Sequence, residues 1–417
     1  MEPRTSVKPT FLVVSTSRGF SAARLAMALV NAGCTVKAVC PPRHPLAKTS
    51  AVSQVHTYHG LAPLASLSGA IAATTPDLIL PFDDLAALHL HELYHRELRR
   101  GTAGAPISLL IERSLGAAAS FPIVYARTTT MELAEAEGIR VPKSAVVRNA
   151  EDLRESIARM GFPMVLKANT TSGGDGVSIV HTLEEAEYAL RVLAAAPLVA
   201  RALKRALIDQ DLTMVWPSLL RKRYVVNAQA FVAGPEATSA VACWKGSVLA
   251  SLHFEVLKKQ DAGGPSTVLR LMESAEMSAA AEKMVRRLEL SGLHGFDFML
   301  EEQTGNPYLI EINPRATQVG HLTLGPGRDL PAALYAAVTG EVIQTAPKVT
   351  EKDTIALFPQ EWIRNPASAF LRSSYHDVPW EEPDLVRLGI RRRGNQTAWY
   401  LQQRWIEALL RVRRPRP

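Results

Sequence analysis

Two short apolar runs in the second half of the chain each contain one acidic residue. Residues 296–300 are apolar except for Asp297, and residues 308–312 are apolar except for Glu311. The polar stretch between the runs has the composition of a turn, so the pattern predicts two strands of a hairpin. Because a lone buried carboxylate is costly, each acid must be paired or must bind something.

Three polar side chains are predicted to converge on this hairpin. Asn313 lies two residues after Glu311 and therefore on the same face of the strand. Two carboxylates and one amide oxygen are hard ligands, which suit a Mg²⁺ ion that also holds phosphates. We therefore interpret Asp297, Glu311 and Asn313 as metal ligands, and Arg315 as a side chain that stabilises phosphoryl charge. The alternative is a surface hairpin with ordinary acids.

The amino-terminal part of the chain predicts a parallel βαβ unit. A continuous apolar run over 10–15 is followed by helical spacing over 18–31 and by a second apolar run over 35–40. The stretch 15–19 lacks the G-x-G-x-x-G spacing, so no dinucleotide site is predicted.

A further strand of this part is predicted to end in two acids. Helical spacing around 61–73 leads to an apolar strand over 77–84, which ends with Asp83 and Asp84. Open α/β sheets bind ligands at the carboxyl ends of their strands, which favours a binding role for these acids. The other interpretation, that they cap the following helix, is about as strong.

Three histidines follow at spacings of two and four, namely His89, His91 and His95. They are interpreted as the polar face of a helix rather than as a metal site, because no acid or cysteine completes a cluster nearby.

A second hairpin is predicted around a glycine-rich stretch. A strand over 161–168 places Lys167 near its end, and another strand covers 177–180. The loop between them, 170–176, can cradle phosphates with its backbone N–H groups, and Lys167 adds a positive charge. The P-loop spacing G-x-x-x-x-G-K-[ST] is absent, so this is a different kind of phosphate site. The loop residues predicted to contact phosphate are Ser172, Gly173, Gly174 and Gly176.

The composition limits the class of protein. A chain of 417 residues with 47% apolar and 21% charged residues is typical of a globular protein with two or three domains. Its three cysteines, an odd set without metal spacing, indicate a reducing compartment. The sequence shows no signal peptide and no membrane-spanning run, and we therefore expect a cytoplasmic protein.

Positive charge is concentrated at the carboxyl end of the chain. The net charge is +7, and residues 387–417 hold nine arginines and one acid, so the remaining chain is close to neutral. This distribution argues against a nucleic-acid groove across the main domains. The aromatic and basic tail is interpreted as a packed cap, in preference to a helix that contacts an anionic membrane surface.

The hairpin formed by residues 296–300 and 308–312, here called the metal hairpin, resembles the metal-binding strands of the ATP-grasp superfamily. In that family an acidic strand residue and an E-x-N ending hold Mg²⁺–ATP. The sequence E-I-N-P-R at 311–315 looks like the branch that includes biotin carboxylase and the large chain of carbamoyl-phosphate synthetase. Lys167 and its glycine loop resemble the family's lid. The helix over 127–138 resembles the segment that precedes the lid, with Arg127 at the position of a phosphate-contacting lysine.

The resemblance implies an adenosine site over 224–236. In the family this segment holds adenine through backbone groups and a later acid holds ribose, and Glu236 matches that acid. Gln229 stands where the family often has glutamate, and Phe231 either lines the adenine pocket or belongs to the core. The residues implied in adenine binding are Gln229, Ala230, Phe231 and Val232.

The resemblance covers roughly residues 10–345 and implies an α/β protein of three parts. A parallel βαβ domain of the kind that precedes ATP-grasp folds spans 1–122. The ATP-grasp domain spans 123–345, with two α+β subdomains that clasp ATP and a lid subdomain at about 144–223. A carboxyl-terminal extension with the basic tail spans 346–417.

Two stretches have no firm assignment. Residues 195–222, which are rich in alanine and basic side chains, are interpreted as an inserted helix without an assigned function. Residues 258–267 are polar and rich in lysine and glycine, and they form either a solvent loop or a substrate loop.

The implied activity is that of an ATP- and Mg²⁺-dependent ligase, with Mn²⁺ as an alternative metal. Lys167, Arg315 and the metal would spread charge off the γ-phosphate while a carboxylate attacks it, and an amine or similar nucleophile would then displace phosphate. The implied partners are ATP and small-molecule carboxylate and amine substrates, with no nucleic acid. Two alternatives stay open, namely a bicarbonate-activating carboxylase or carbamoyl-phosphate-type enzyme, and an ATP-binding regulator without turnover.

Overall fold

The computed structural model describes residues 8–168, 176–195, 224–261, 263–342 and 346–391. Within these ranges the chain forms three β-sheets with helices packed against them. No helix of the described ranges is long and apolar enough to cross a membrane. The three cysteines are buried and free.

The amino-terminal sheet has parallel strands joined by helical connections. Its strands are β1 (Thr10–Val14), β2 (Thr35–Cys40), β3 (Val52–Thr57) and β4 (Leu78–Pro81). All pairs are parallel, and the strand order is β3-β2-β1-β4. β2 and β3 therefore lie on one side of β1, and β4 lies on the other side. The associated helices are α1 (Ser21–Asn31), α2 (Pro63–Thr74), α3 (Asp84–Arg99) and α4 (Ala105–Leu115), with short 3-10 turns at Pro45–Lys48, Gly101–Ala103 and Ala118–Ser120.

The burial of these strands explains which of them the sequence predicts. β1 and β4 are almost wholly buried, as expected for continuous apolar runs in a parallel sheet. β3 lies at the edge of the sheet, and its sequence V-S-Q-V-H-T leaves most side chains exposed. The prediction omitted β3 because such a strand shows no apolar pattern.

A second, antiparallel sheet contains the predicted hairpin with Lys167. Its strands are β5 (Ser144–Val147), β6 (Met164–Ala168), β7 (Val177–Val180) and β8 (Val226–Ala230), in the order β5-β8-β6-β7. The helices α7 (Ala150–Met160) and α8 (Leu183–Ala194) share its apolar core. Met164, Leu166 and Ala168 belong to that core. The two-residue alternation of a strand therefore places Lys167 on the opposite face.

The third sheet is the largest and contains the predicted metal hairpin. Its order is β13-β12-β9-β10-β11-β14-β15, with every pair antiparallel except β14 with β15. The strands are β9 (Glu236–Trp244), β10 (Ser247–Lys259), β11 (Ser266–Leu271), β12 (Gly292–Leu300), β13 (Pro307–Asn313), β14 (Thr354–Leu357) and β15 (Tyr375–Asp377). The remaining helices are α5 (Phe121–Tyr125), α6 (Arg127–Ala136), α9 (Ala275–Arg287), α10 (Leu330–Thr339), α11 (Gln360–Arg364) and α12 (Phe370–Ser373).

The helix α9 shows how local signals fix an element of this layer. Ser274 caps its amino end by accepting a hydrogen bond from the Met277 backbone N–H. Glu276 lies in the first turn and Arg286 in the last, so both charges complement the helix dipole. Its buried face packs into the same core as the metal hairpin.

One expectation about the large sheet requires correction. The stretch 258–267 is not one long polar loop, because β10 continues to Lys259 and β11 begins at Ser266. The described part of the carboxyl-terminal extension contributes β14 and β15 to the large sheet and packs on the body. Residues 392–417, which hold most of the basic tail, lie outside the described residues.

The three histidines of α3 do not share one polar face. His91 is buried, and its ring stacks on Phe121 with 3.9 Å between centroids. Burial lowers the pKa of His91 to about 3, so its imidazole is neutral at physiological pH. His95 is exposed and His89 is half-buried. No cluster of three potential metal ligands among His, Cys, Asp and Glu occurs in the described part of the chain.

Candidate functional site

The two acids of the metal hairpin face each other across β12 and β13. Asp297 and Glu311 are directly opposite in the antiparallel register. Asn313 Nδ2 donates to Asp297 Oδ2 at 2.8 Å, and Thr238 Oγ1 of β9 donates to Asp297 Oδ1 at 2.8 Å. The structure therefore brings together the three residues predicted to bind metal, and it adds Thr238, which the sequence did not indicate.

The environment of Asp297 disfavours its charged form. Burial raises the pKa of Asp297 to about 6 and the negative charge of Glu311 adds to this, while the positive charge of Arg315 and hydrogen bonds from Thr238 and Asn313 oppose it. A divalent cation would relieve the repulsion between the two acids, and all the donor atoms are hard oxygens. The residues present therefore fit Mg²⁺. The Asn313 amide oxygen accepts from Arg315 at 3.3 Å, so its amide must rotate to bind the same ion as Asp297.

Two arginines neutralise the acids around this hairpin. Arg127 is the first residue of α6, and its Nη2 atom lies 2.7 Å from Glu311 Oε1. Arg315 Nε donates to Asp84 Oδ1 at 3.0 Å. Burial alone would lower the pKa of Arg315, but the carboxylates of Asp84 and Asp297 raise it above its ordinary value. Both guanidinium groups are thus held close to the proposed metal ligands.

The two acids after β4 have different roles. The Asp83 carboxylate caps α3 by accepting from the Ala86 N–H at 2.9 Å, and it also accepts from the Thr16 N–H at 2.7 Å. Asp84 is the partner of Arg315. Asp83 is therefore a helix cap, and Asp84 belongs to the candidate site. Each of the two interpretations, helix cap and binding residue, holds for one of these acids.

Lys167 reaches the same site from the second sheet. Its side chain is 8% exposed, and it lies opposite Asn227 of β8 in the antiparallel register. Burial lowers the pKa of Lys167 to about 8, with Arg127 adding to the effect and Glu311 and Asp297 opposing it. The ammonium group therefore lies within electrostatic range of these three residues.

The glycine-rich loop is described only in part. Ser172, Gly173 and Gly174 lie outside the described residues. Gly176 has a φ of +94°, a conformation that glycine adopts readily, and its carbonyl accepts from the Ala168 N–H at 2.8 Å. β6 and β7 pair in an antiparallel register on either side of the loop, as the sequence predicts for a hairpin.

The segment implied in adenosine binding runs along β8 and into β9. Gln229 and Ala230 end β8, and the buried Gln229 amide donates to Ser144 Oγ at 3.4 Å. Phe231 is 37% exposed, so the interpretation of this ring as core is wrong. Val232 follows it outside any strand. Glu236, the first residue of β9, accepts from Lys259 Nζ at 2.7 Å. Lys259 was not predicted, because it lies in the stretch assigned to a loop.

Two family descriptions match the sequence. "Carbamoyl-phosphate synthase L chain, ATP binding domain" matches residues 126–216, and "ATP-grasp domain" matches residues 219–319. The chain carries an ATP-grasp domain. This confirms the predicted family, and the sheets described above confirm the α/β fold class.

Individual proteins similar to this ATP-grasp chain agree with the match. The N-terminal section of the carbamoyl phosphate synthase large chain from Aquifex aeolicus is 26% identical over 192 residues, which cover 45% of this chain and 31% of that protein. The matched part spans about a third or less of the length of the first curated relatives.

Two solved structures show the same fold at low sequence identity. The biotin carboxylase domain of 2-oxoglutarate carboxylase from Hydrogenobacter thermophilus, solved with MgADP and bicarbonate, has a TM-score of 0.56 at 14% identity, covering 80% of this chain and 70% of that one. N5-carboxyaminoimidazole synthase from Aspergillus clavatus, solved with ADP and 5-aminoimidazole ribonucleotide, has a TM-score of 0.57 at 16% identity, covering 81% and 78%.

Proposed function

We propose that this chain is an ATP- and Mg²⁺-dependent ligase that joins a carboxylate to an amine or similar nucleophile and releases ADP and phosphate. The observation that carries the proposal is the convergence of Asp297, Glu311 and Asn313 with Arg127 and Arg315. The similar structures from Hydrogenobacter and Aspergillus, which contain ADP, support it.

Asp297, Glu311 and Asn313 would hold Mg²⁺, and Mn²⁺ suits the same oxygen ligands. The bound metal supplies charge neutralisation for the nucleotide phosphates. Lys167 and Arg315 would neutralise charge on the transferred phosphoryl group, because both are cations held in a low-dielectric site.

Arg127 would exchange partners when nucleotide binds. In the structure its guanidinium pairs with Glu311, which is one of the proposed metal ligands. A metal at Glu311 would free Arg127 to contact a phosphate, which is the role of the lysine usually found at this position in the family. Glu236 would similarly release Lys259 and would instead accept a hydrogen bond from a ribose hydroxyl. The backbone of Gln229, Ala230, Phe231 and Val232 would hold adenine, and the glycine-rich loop would cover the phosphates.

The chemistry requires no covalent enzyme intermediate. An oxygen of the substrate carboxylate attacks the γ-phosphorus of ATP, the bond to the bridging oxygen of ADP breaks, and an acyl phosphate forms. The nitrogen of the amine then attacks the carbonyl carbon, the C–O bond to phosphate breaks, and the amine loses a proton.

A bicarbonate-activating reaction is the second candidate. It is favoured by the match of residues 126–216 to the carbamoyl-phosphate synthase description and by the bicarbonate in the Hydrogenobacter structure. In that reaction bicarbonate takes the place of the carboxylate, and the proposed roles of Lys167, Arg315 and the metal ligands are the same.

The decisive experiment is a screen for ADP release with MgATP and a panel of amino acids, other carboxylates, bicarbonate and amines. With an active substrate pair, Glu311→Gln should lower kcat at least about 100-fold, because a charged metal ligand is lost. Glu302→Gln is the matched control, since Glu302 is exposed in the turn of the same hairpin. Undiminished turnover of Glu311→Gln at saturating MgATP would overturn the assignment.

A further inference from the structure

Acidic residues are absent from a long stretch of the amino-terminal domain. Residues 3–76 contain no aspartate or glutamate, and the basic side chains within them are Arg4, Lys8, Arg18, Arg24, Lys37, Arg43 and Lys48. This segment supplies β1, β2 and β3 of the parallel sheet. None of these basic side chains belongs to the proposed metal and nucleotide site, because the side chains of that site all come from residues 84 onward.

Two of the arginines lie at the carboxyl edge of the parallel sheet. Arg18 follows β1 and Arg43 follows β2, so the parallel order places both at the same edge. Arg18 Nε donates to the Pro42 carbonyl at 3.1 Å, which joins the two loops directly. Lys8 precedes β1 and therefore lies at the opposite edge.

Acidic residues of the carboxyl-terminal extension neutralise a different arginine. Asp377 and Glu381 both pair with Arg24 of α1. Glu382 accepts hydrogen bonds from Thr49 Oγ1 and the Ser50 N–H. Arg43, in contrast, is exposed and has no ion pair among the residues that the structure describes.

This basic edge is continuous with Arg315 of the proposed active site. Asp83 accepts from Ser15 Oγ at 2.9 Å and from the Thr16 N–H at 2.7 Å, which fixes the loop after β1 against the end of β4. The next residue, Asp84, accepts from Arg315 Nε. β2 and β4 lie on opposite sides of β1. Open parallel sheets bind ligands at the carboxyl ends of the strands where the strand order changes side in this way. The two acids at this edge are thus both engaged by groups of the protein.

We propose that the substrate that reacts opposite Arg315 carries an anionic group, a phosphate ester or a second carboxylate, which Arg18 and Arg43 bind at the carboxyl edge of the parallel sheet. The inference rests on the proposed ligase function, because it assigns a chemical class to one of the two substrates. Arginine suits this role because its planar guanidinium can make two parallel hydrogen bonds to phosphate or carboxylate.

The test uses the full chain with inorganic phosphate, ribose 5-phosphate and succinate as probes. Binding is measured by calorimetry with AMP-PNP and Mg²⁺ present, so that the nucleotide's own phosphate positions are occupied. Arg43→Asn is the main variant, since asparagine tolerates the positive φ of +61° at this position. Lys8→Asn is the control, because it removes the same charge from the opposite edge of the same sheet.

Arg43→Asn should weaken binding of the preferred probe at least about tenfold, while Lys8→Asn leaves it within about twofold. Arg18→Gln should weaken the same probe. A preference for ribose 5-phosphate over succinate identifies a phosphate ester, and the reverse identifies a dicarboxylate. Equal effects of Arg43→Asn and Lys8→Asn, or no saturable binding of any probe, would overturn the inference.

The proposed ligase function is judged from AMP-PNP binding, separately from the binding of the probes. If AMP-PNP does not bind, the proposed function fails, and the probes are then compared without nucleotide in the same three variants. If AMP-PNP binds but the variants do not differ, only the anionic-substrate inference fails.

Discussion

At the scale of single residues, the candidate site combines buried charges whose protonation depends on their neighbours. Lys167 is the clearest case, because burial moves its pKa from the ordinary range to about 8. Phosphate binding requires the charged ammonium form. The nucleotide affinity of the wild-type chain should therefore change within an accessible pH range, which is unusual for a lysine.

We predict that the affinity for AMP-PNP falls as pH rises above 8. Between pH 8 and pH 9 the charged fraction of Lys167 decreases about fivefold, and the dissociation constant should rise by up to that factor. Lys167→Arg should remain charged and show a flat profile over the same range, because arginine does not deprotonate there. Calorimetric titrations at several pH values test this, and parallel profiles for the two proteins would contradict it.

At the scale of elements, the predictable strands are those whose burial appears as an apolar pattern. The metal hairpin and the pairing of Asp297 with Glu311 follow from two apolar runs that each contain one acid. β3, β11 and β15 escape prediction because they are short or carry polar side chains on both faces.

The contacts between distant elements were not predictable from the pattern. Thr238 and Asp297 are 59 residues apart, and Asp84 and Arg315 are 231 residues apart. Their contact depends on the strand order of the large sheet and on the packing of the amino-terminal domain against it. A sequence pattern reports the local alternation of burial but not which strands become neighbours.

The turn between β9 and β10 depends on backbone conformation. Lys245 and Gly246 have φ values of +48° and +78°. Gly246→Ala should lower the free energy of unfolding by about 1–2 kcal/mol, because an alanine is strained at this φ while its Cβ would meet only ordinary contacts. Gly69→Ala is the matched comparison, since Gly69 lies in α2 with free space around it, and this variant should gain about 0.5–1 kcal/mol. Denaturant unfolding of both variants measures the difference, and a stabilised Gly246→Ala would contradict the argument.

At the scale of the whole molecule, one buried carboxylate joins three parts of the chain. Asp377 of β15 is 1% exposed, and it pairs with Arg24 of α1 and with His321 of the segment after β13. Burial alone would raise the pKa of Asp377, but His321 and Arg24 hold it below its ordinary value. One ionised group therefore bridges the amino-terminal domain, the segment after β13 and the carboxyl-terminal extension.

Asp377→Asn should lower the free energy of unfolding by about 3 kcal/mol at pH 7, because Arg24 would remain buried without its main countercharge. A carboxylate with a lowered pKa stabilises the fold above its unfolded-state pKa, and this stabilisation disappears as pH falls through the folded-state pKa. The difference between variant and wild type should therefore shrink below about pH 4. Glu381→Gln is the control, since Glu381 contacts the same arginine but its side chain is 63% exposed. Comparable losses in the two variants would show that burial of Asp377 is not the cause.

The position of β14 within the large sheet has a consequence for how the protein is made. β14 pairs with β11, yet some 80 residues separate them in the chain, and β15 follows later still. During synthesis β11 must present an open hydrogen-bonding edge until residues 354–357 leave the ribosome. An open edge of this kind invites pairing with other nascent chains, and sequence-distant pairing slows folding. β14, which is translated well after β11, therefore covers an edge of the large sheet that would otherwise remain open.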